Sequence, residues 1–135
     1  MRRDARTVMV VDDEKSTRTL VARVLQDLGL DVCDAADGRQ ALALLERGVR
    51  PRLALIDLMM PQMSGMELLG RLREDPDPSV AGMAVVVMTA VYQNVDSIVR
   101  PHSVEGILVK PFRLGDLRTA VLRFCESKRR RAPAA

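Results

Sequence analysis

The chain has 135 residues, of which 47% are apolar and 29% charged, a balance typical of a globular protein with one core. No apolar run approaches the roughly 18 residues that a membrane-spanning helix needs, and acids interrupt the first run too early for a signal peptide. The net charge of +3 lies at the ends, because residues 1–6 carry +2, residues 127–135 carry +4 and the body carries −3.

We therefore predict a basic N-terminal end at 1–6, one cytoplasmic domain at 7–126 and a basic tail or linker stub at 127–135. Nucleic-acid binding is not expected of this domain, because base stacking needs aromatic side chains and the chain has only Tyr92, Phe112 and Phe124. Cys33 and Cys125 lack the spacing of a metal or redox site, so both are predicted to be reduced packing residues.

The first half of the chain alternates apolar runs with segments of helical spacing. A strand is predicted at 8–11, an edge strand at 30–35 from its alternating pattern, and a strand buried on both faces at 53–56. A helix ending at Gly29 separates the first two strands, and a helix at 38–48 separates the next two. The apolar face of the first helix is predicted to consist of Leu20, Val21, Val24, Leu25 and Leu28.

The second half continues the same alternation. A helix is predicted at 66–75, ended by Pro76 and Pro78, and buried strands are predicted at 83–88 and 107–109. Between these strands the segment 94–100 predicts only a short or distorted helix, because Pro101 removes a backbone donor. A last helix is predicted from 114 to about 127, with a buried face of Leu114, Leu117, Val121, Leu122 and Phe124.

Five strands alternating with five helices predict an α/β domain on a parallel sheet with right-handed crossovers. In such a sheet ligands bind beyond the carboxyl ends of the strands, so a site is expected among the residues that follow each apolar run. These residues are Asp12, Asp13, Asp57, Thr89 and Lys110.

The chemistry of this set indicates phosphoryl transfer. Three clustered carboxylates stay ionised together only beside a cation, and Mg²⁺ fits a shell of carboxylates, waters and phosphate oxygens, with no His or Cys nearby to favour zinc. Asp57 is the predicted nucleophile, and Lys110 and the metal would neutralise charge on the phosphoryl oxygens. Thr89 would donate a hydrogen bond to one of those oxygens.

Each residue also has a plainer explanation when it is taken singly. Asp13 or Ser16 would cap the following helix, and Asp57 or Thr89 would occupy a turn. Their joint occurrence after four separate strands favours a site.

Four segments, "VVDDE", "LIDLMMPQMSGMELL", "VVVMTA" and "GILVKPF", resemble the receiver domain of two-component response regulators in order and spacing, over about residues 7–126. The resemblance implies a three-layer flavodoxin-like (βα)5 fold with a five-stranded parallel sheet in the order 2-1-3-4-5, as in the family's chemotaxis regulator. It also implies that Asp57 is the phosphoacceptor, supplied by the phosphohistidine of a sensor kinase or a histidine phosphotransfer protein.

The resemblance implies roles for the neighbouring residues as well. Asp13 and Asp57 would bind Mg²⁺ directly, with Asp12 acting mainly through water and the Met59 backbone carbonyl completing the protein's ligands. Thr89 would be the switch hydroxyl. Lys110 would bind the phosphoryl group, and the peptide bond after it would be cis.

Two departures from the family pattern affect the expected output. Ile107 occupies the position where the family usually has a switching aromatic ring, so coupling by ring rotation is not expected. Tyr92 is either a substitute for that ring or an exposed loop residue. The segment interrupted by Pro101 contributes to the face through which the family often docks partners or dimerises, so this face is expected to be unusual.

Met59 and Val91 flank the predicted site two residues after Asp57 and Thr89. Apolar side chains at these positions would hinder the water that attacks an acyl phosphate. We therefore hypothesise slow autodephosphorylation.

The first interpretation is a phosphoaccepting regulator, not a metabolic enzyme, that acts on a downstream protein; it is either a single domain or the receiver part of a longer regulator with a fused output domain. A pseudo-receiver that switches without phosphate is the alternative, which Ile107 favours and the complete set of site residues disfavours. A phosphatase or phosphotransferase acting on a metabolite is disfavoured because no second general acid is evident.

Overall fold

The computed structural model describes residues 4–90 and 94–125. Its centre is a sheet of five strands, which are β1 (Asp4–Val11), β2 (Asp31–Ala35), β3 (Pro51–Asp57), β4 (Ala84–Thr89) and β5 (Gly106–Val109). Their order in the sheet is β2-β1-β3-β4-β5, and every neighbouring pair is parallel. This confirms the predicted fold class, strand order and edge position of the second strand.

Helices cover both faces of the sheet, which gives the predicted three layers. The helices are α1 (Lys15–Asp27), α2 (Gly38–Glu46), α3 (Gly65–Arg73), α4 (Pro78–Ala81), α5 (Val95–Val99) and α6 (Leu114–Leu122). Buried residues of α1 and α6 pack on one face, and those of α2, α3 and α5 pack on the other. A 3-10 turn over Arg100–His102 follows α5 directly.

The single-turn helix α4 was not among the predicted elements. Asp77 caps it by accepting a hydrogen bond from the Ser79 amide at 2.9 Å, and Pro78 occupies its first turn, where a missing N–H costs nothing. Of the two prolines expected to end the third helix, Pro78 therefore starts a new one.

The burial predicted for two helices needs correction. Helix α6 ends at Leu122, its predicted core residue Leu114 is exposed, and Leu122 and Phe124 are only partly buried. Leu20 on α1 is exposed as well, although it shares the apolar spacing of its neighbours. Leu20 lies at the margin of its apolar face and Leu114 is the first residue of α6, and at such positions spacing alone does not distinguish contact from solvent.

The helix before Pro101 is short, as predicted, and Arg73 at the end of α3 contacts the segment that follows it. Helix α5 has five residues before the 3-10 turn, and Ser103 then adopts a left-handed conformation with φ 54°. The Arg73 guanidinium donates hydrogen bonds at 2.6–3.2 Å to the backbone carbonyls of Ala81, Met83, His102 and Ser103 and to the Glu105 carboxylate.

Two further expectations concern the cysteines and membranes. Cys33 and Cys125 are free, and burial raises the pKa of each thiol to about 11, so both stay protonated at neutral pH. Cys125 lies in the core on one face of the sheet and Cys33 packs against the core on the other, which confirms both as packing residues. Over 4–90 and 94–125, no helix is long and apolar enough to cross a membrane.

Candidate functional site

Parallel pairing brings the predicted site residues to one edge of the sheet. Asp57 is the last residue of β3 and lies in register with Met88, and Thr89, the last residue of β4, lies in register with Val109. The Lys110 amide donates to the Thr89 carbonyl at 2.7 Å, which holds the end of β5 against the end of β4. The ends of β3, β4 and β5 are therefore aligned, and Val11, the last residue of β1, lies in register with Ile56 beside them.

Three carboxylates converge at this edge. One ligand oxygen from each of Asp12, Asp13 and Asp57 lies within 4.8 Å of the others. Asp12 and Asp57 are buried, whereas Asp13 is exposed towards solvent. A set of oxygen ligands with one open side fits Mg²⁺, which keeps several of its waters. These three residues would hold the ion, and when bound it would neutralise negative charge on incoming phosphoryl oxygens.

Lys110 bridges the two buried carboxylates. Its Nζ lies 2.6 Å from Asp12 Oδ2 and 3.0 Å from Asp57 Oδ2. Burial lowers the pKa of Lys110, but hydrogen bonds and charge from Asp12 and Asp57 outweigh it and raise that pKa overall. The lysine is therefore protonated at neutral pH and supplies the counter-charge to both acids.

The pKa of Asp57 is raised as well, but here burial is the cause and the polar contacts oppose it. Burial raises the pKa of Asp57, and the Met59 amide and Lys110 oppose this without cancelling it. The Met59 amide donates to Asp57 Oδ1 at 2.9 Å, and Lys110 contacts Oδ2, so both oxygens of the carboxylate are held.

The backbone places Asp57 through a close approach of α3. The Gly65 amide donates to the Leu58 carbonyl at 3.1 Å, and the Leu58 amide donates to the Met88 carbonyl at 3.2 Å. A Cβ at Gly65 would overlap the Asp57 carbonyl oxygen and lie 2.7 Å from Leu58 Cα, so this helix start requires glycine.

Other predicted site residues have different surroundings. Met59, two residues after Asp57, is 62% exposed, and the role of its carbonyl as a metal ligand stays a prediction. Ile107 lies on β5 opposite Val87 and is partly buried against the core. Val91 and Tyr92 lie outside the described residues.

The Lys110–Pro111 peptide bond is cis, as the resemblance implied.

Sequence reasoning missed Arg18, which contacts the loop that carries Asp12 and Asp13. Its Nη1 donates to the Asp12 carbonyl at 2.7 Å and its Nε contacts Asp34 Oδ2 at 3.0 Å. The one available signal was position, because Arg18 lies on the first turn of the helix that follows the acids.

An apolar groove of about 410 Å³ opens beside Lys110, between α1 and the residues that precede α6. Leu20, exposed on α1, lies along it together with Pro111 and Phe112.

The fold and the site define a doubly wound α/β domain with an acidic, lysine-bridged pocket at the carboxyl edge of its sheet. The sequence matches the family model described as response regulator receiver domain over residues 8–122. The chain belongs to this family, whose members are the receiver domains of two-component systems.

The share of its own length that this chain matches differs between the curated relatives. The DNA-binding response regulator MtrA of Mycobacterium tuberculosis is 35% identical over 111 residues, which are 82% of this chain and 46% of MtrA. The chain thus spans about half the length of that relative. An uncharacterised 14.6 kDa protein of Leptolyngbya boryana is also 35% identical, over 87% of this chain and 88% of that protein.

Solved structures show the same architecture. The chemotaxis protein CheY4 of Vibrio cholerae superposes with a TM-score of 0.81 at 30% identity, covering 90% of this chain and 99% of that one. The response regulator TrrA of Thermotoga maritima, solved in complex with Mg²⁺ and BeF, gives a TM-score of 0.76 at 26% identity, covering 92% and 99%.

Proposed function

We propose that the protein accepts a phosphoryl group on Asp57 from the phosphohistidine of a sensor histidine kinase or a histidine phosphotransfer protein, in a Mg²⁺-dependent step. The observation that carries the proposal is the Asp57 carboxylate, which lies 3.0 Å from the Lys110 ammonium in a pocket shared with Asp12 and Asp13. The TrrA structure with Mg²⁺ and BeF supports it as a relative of the same fold.

The transfer exchanges one bond to phosphorus for another. A carboxylate oxygen of Asp57 attacks the phosphorus atom, the P–N bond of the phosphohistidine breaks, and its electron pair stays on the imidazole nitrogen, which takes up a proton. The product is an acyl phosphate on Asp57. Hydrolysis reverses the modification, because water attacks phosphorus and releases inorganic phosphate and the Asp57 carboxylate.

The residues around Asp57 bind the phosphoryl group and the metal ion. Lys110 moves its contact from the carboxylate to a phosphoryl oxygen, and Thr89, at the adjoining strand end, donates a hydrogen bond to another. Asp12, Asp13, Asp57 and the Met59 carbonyl are the proposed magnesium ligands, with Asp12 acting mainly through water.

The output of the modification is a change in protein–protein interaction. The proposed phosphodonor approaches from the open side of the pocket. The apolar groove lined by Leu20 and Phe112 also borders Lys110, a residue of that pocket. The downstream target is either a separate protein, a second copy of this chain or a fused output domain, as in the DNA-binding relative MtrA. The cytoplasm is the compartment that supplies such kinases.

Slow dephosphorylation is part of the proposal. Met59 is exposed two residues after Asp57, and we propose that its side chain, like that of Val91, restricts the approach of water to the acyl phosphate. A phosphorylated lifetime of seconds, measured by loss of the added mass, would contradict this.

The phosphoryl addition is tested by intact mass. The protein is incubated with Mg²⁺ and acetyl phosphate, then with a phosphorylated histidine kinase domain. We expect one phosphoryl group on the wild type and none on Asp57→Asn. Asp27→Asn, an exposed acid near the far end of α1, should be modified like the wild type.

The pseudo-receiver is the second candidate, and Ile107 is the observation that favours it. Its partly buried side chain lacks the ring through which the family reports phosphorylation. No phosphoryl addition from either donor, in a protein that is folded and binds Mg²⁺, would favour this alternative.

A further inference from the structure

Arg18 connects three chain segments next to the acidic pocket. It lies on α1, its Nη1 donates to the Asp12 carbonyl at the end of β1, and its Nε contacts the Asp34 carboxylate on β2. The Arg18 side chain is only 14% exposed, whereas Asp34 is 56% exposed. A largely buried guanidinium that donates to a backbone carbonyl and pairs with a carboxylate through a second nitrogen is restricted in its orientation.

The contact acts on the peptide unit that leads into Asp13. The Asp12 amide donates to the Ala35 carbonyl at 3.1 Å, and the Asp12 carbonyl accepts from Arg18 at 2.7 Å. The Asp12 side chain is fixed too, because Oδ1 accepts from the Glu14 amide at 2.9 Å and Oδ2 contacts Lys110. Hydrogen bonds therefore fix both the backbone and the side chain of Asp12. This also fixes the direction of the chain that follows Asp12.

Asp13 lacks such packing and depends on that direction. Its side chain is exposed, so neighbouring side chains do little to orient it, yet its carboxylate lies within 4.8 Å of the ligand oxygens of Asp12 and Asp57. The backbone that precedes it sets where this carboxylate points.

We propose that Arg18 is a positioning residue for the magnesium site, which aims the Asp13 carboxylate by fixing the Asp12–Asp13 peptide. The inference rests on the proposed function of the pocket. Groups that support metal ligands in this way typically change metal affinity by about 10- to 100-fold when they are replaced.

Electrostatics alone predicts the opposite change in Mg²⁺ affinity when Arg18 is replaced. Arg18 is a cation close to a site for a cation, so removing its charge should strengthen Mg²⁺ binding if Coulomb repulsion dominated. A purely structural arginine would change the unfolding temperature and leave the affinity of the folded protein unchanged. The sign of the change in affinity therefore separates the three roles.

The test is isothermal titration of Mg²⁺ into wild type, Arg18→Gln and Arg18→Lys, with folding checked by circular dichroism. We expect Arg18→Gln to raise the Mg²⁺ dissociation constant about tenfold. The dissociation constant of Arg18→Lys should lie between those of wild type and Arg18→Gln. An ammonium keeps the charge and reaches one acceptor, but it cannot donate to both acceptors as the guanidinium does.

The matched control is Arg23→Gln. Arg23 lies on the same helix and pairs with Asp27 at 3.9 Å, but it is 79% exposed. Its replacement removes the same charge from α1 and should leave the dissociation constant unchanged. At saturating Mg²⁺ the rate of phosphorylation of Arg18→Gln should return to the wild-type value, because the defect lies in metal affinity.

Binding of Mg²⁺ to Arg18→Gln that equals or exceeds wild type would overturn the inference and leave the proposed function intact. A wild-type protein without measurable Mg²⁺ binding would overturn both. If Arg18→Gln does not fold, Arg18→Lys decides: weaker binding supports the positioning role, and unchanged binding refutes it.

Discussion

At Gly65 the neighbouring backbone leaves no room for a side chain. Its position is set against the carbonyl of Asp57 and the Cα of Leu58, both of which belong to the chain that carries the phosphoacceptor. Backbone atoms cannot move aside as the end of a flexible side chain can. A single methyl group at this position would therefore push α3 away from the site.

We expect Gly65→Ala to lower the free energy of unfolding by about 2 kcal/mol, the usual cost of overpacking a closed contact. Urea denaturation measures the change. Gly115→Ala is the matched control, since nothing lies within 4 Å of a Cβ there and alanine favours a helix by up to about 1 kcal/mol. Equal stability of Gly65→Ala and wild type would mean that α3 is not pressed against the Asp57 carbonyl.

Among the helices and strands, the short helix α4 shows how one cap organises an element. Asp77 Oδ1 accepts from the amide and hydroxyl of Ser79, and Oδ2 contacts Arg50 at 2.9 Å. Arg50 also donates to the Leu45 carbonyl, so the same cluster holds the end of α2. Hydrogen bonds from Ser79, assisted by Arg50, lower the pKa of Asp77 from 3.8 to about 2.

This lowered pKa predicts a pH dependence of stability. A carboxyl group that binds protons less well when folded stabilises the protein above its ordinary pKa and loses this effect as pH falls through the folded value. The wild type should therefore lose its stability advantage over Asp77→Asn between pH 3.8 and about pH 2. Urea denaturation at steps across this range measures it, with Asp27→Asn as an exposed control. An advantage that is constant with pH would contradict the prediction.

At the scale of the whole molecule, Lys110 joins parts of the chain that are far apart in sequence. It contacts Asp12, 98 residues away, and Asp57, 53 residues away, so β5 is tied to β1 and β3 through side chains. Without that ammonium, two buried carboxylates would face each other and one would tend to take up a proton.

We expect Lys110→Met to lower the free energy of unfolding in metal-free buffer by about 3 kcal/mol, the usual cost of leaving buried charge without its partner. Chemical denaturation with a chelator present measures the loss. The same substitution in an Asp57→Asn background should cost less, because one of the two acids is already neutral. Equal losses in both backgrounds would show that Lys110 stabilises the fold without Asp57.

Much of the site was accessible from sequence because its residues follow strands. Each buried strand is a local apolar run, and a parallel sheet aligns the carboxyl ends of its strands, so Asp12, Asp57 and Lys110 were predicted to meet. Their separation along the chain did not prevent this prediction, because it depends on strand ends and not on distance in sequence. The short helix before Pro101 followed in the same way, from the missing backbone donor of proline.

Contacts made by long polar side chains needed the tertiary structure. Arg18 reaches Asp34 and Arg73 reaches the residues after Pro101, and the chain has eighteen arginines with no local pattern that marks these two. The exposure of Leu114 likewise depends on which neighbours cover the first turn of α6. By itself, the sequence determined the fold class, the strand ends and the acids and lysine of the pocket, since these follow from local periodicity and sheet geometry. The tertiary structure alone decided which arginines hold the pocket and its neighbouring loops, since a flexible side chain finds its partners only after the backbone is in place.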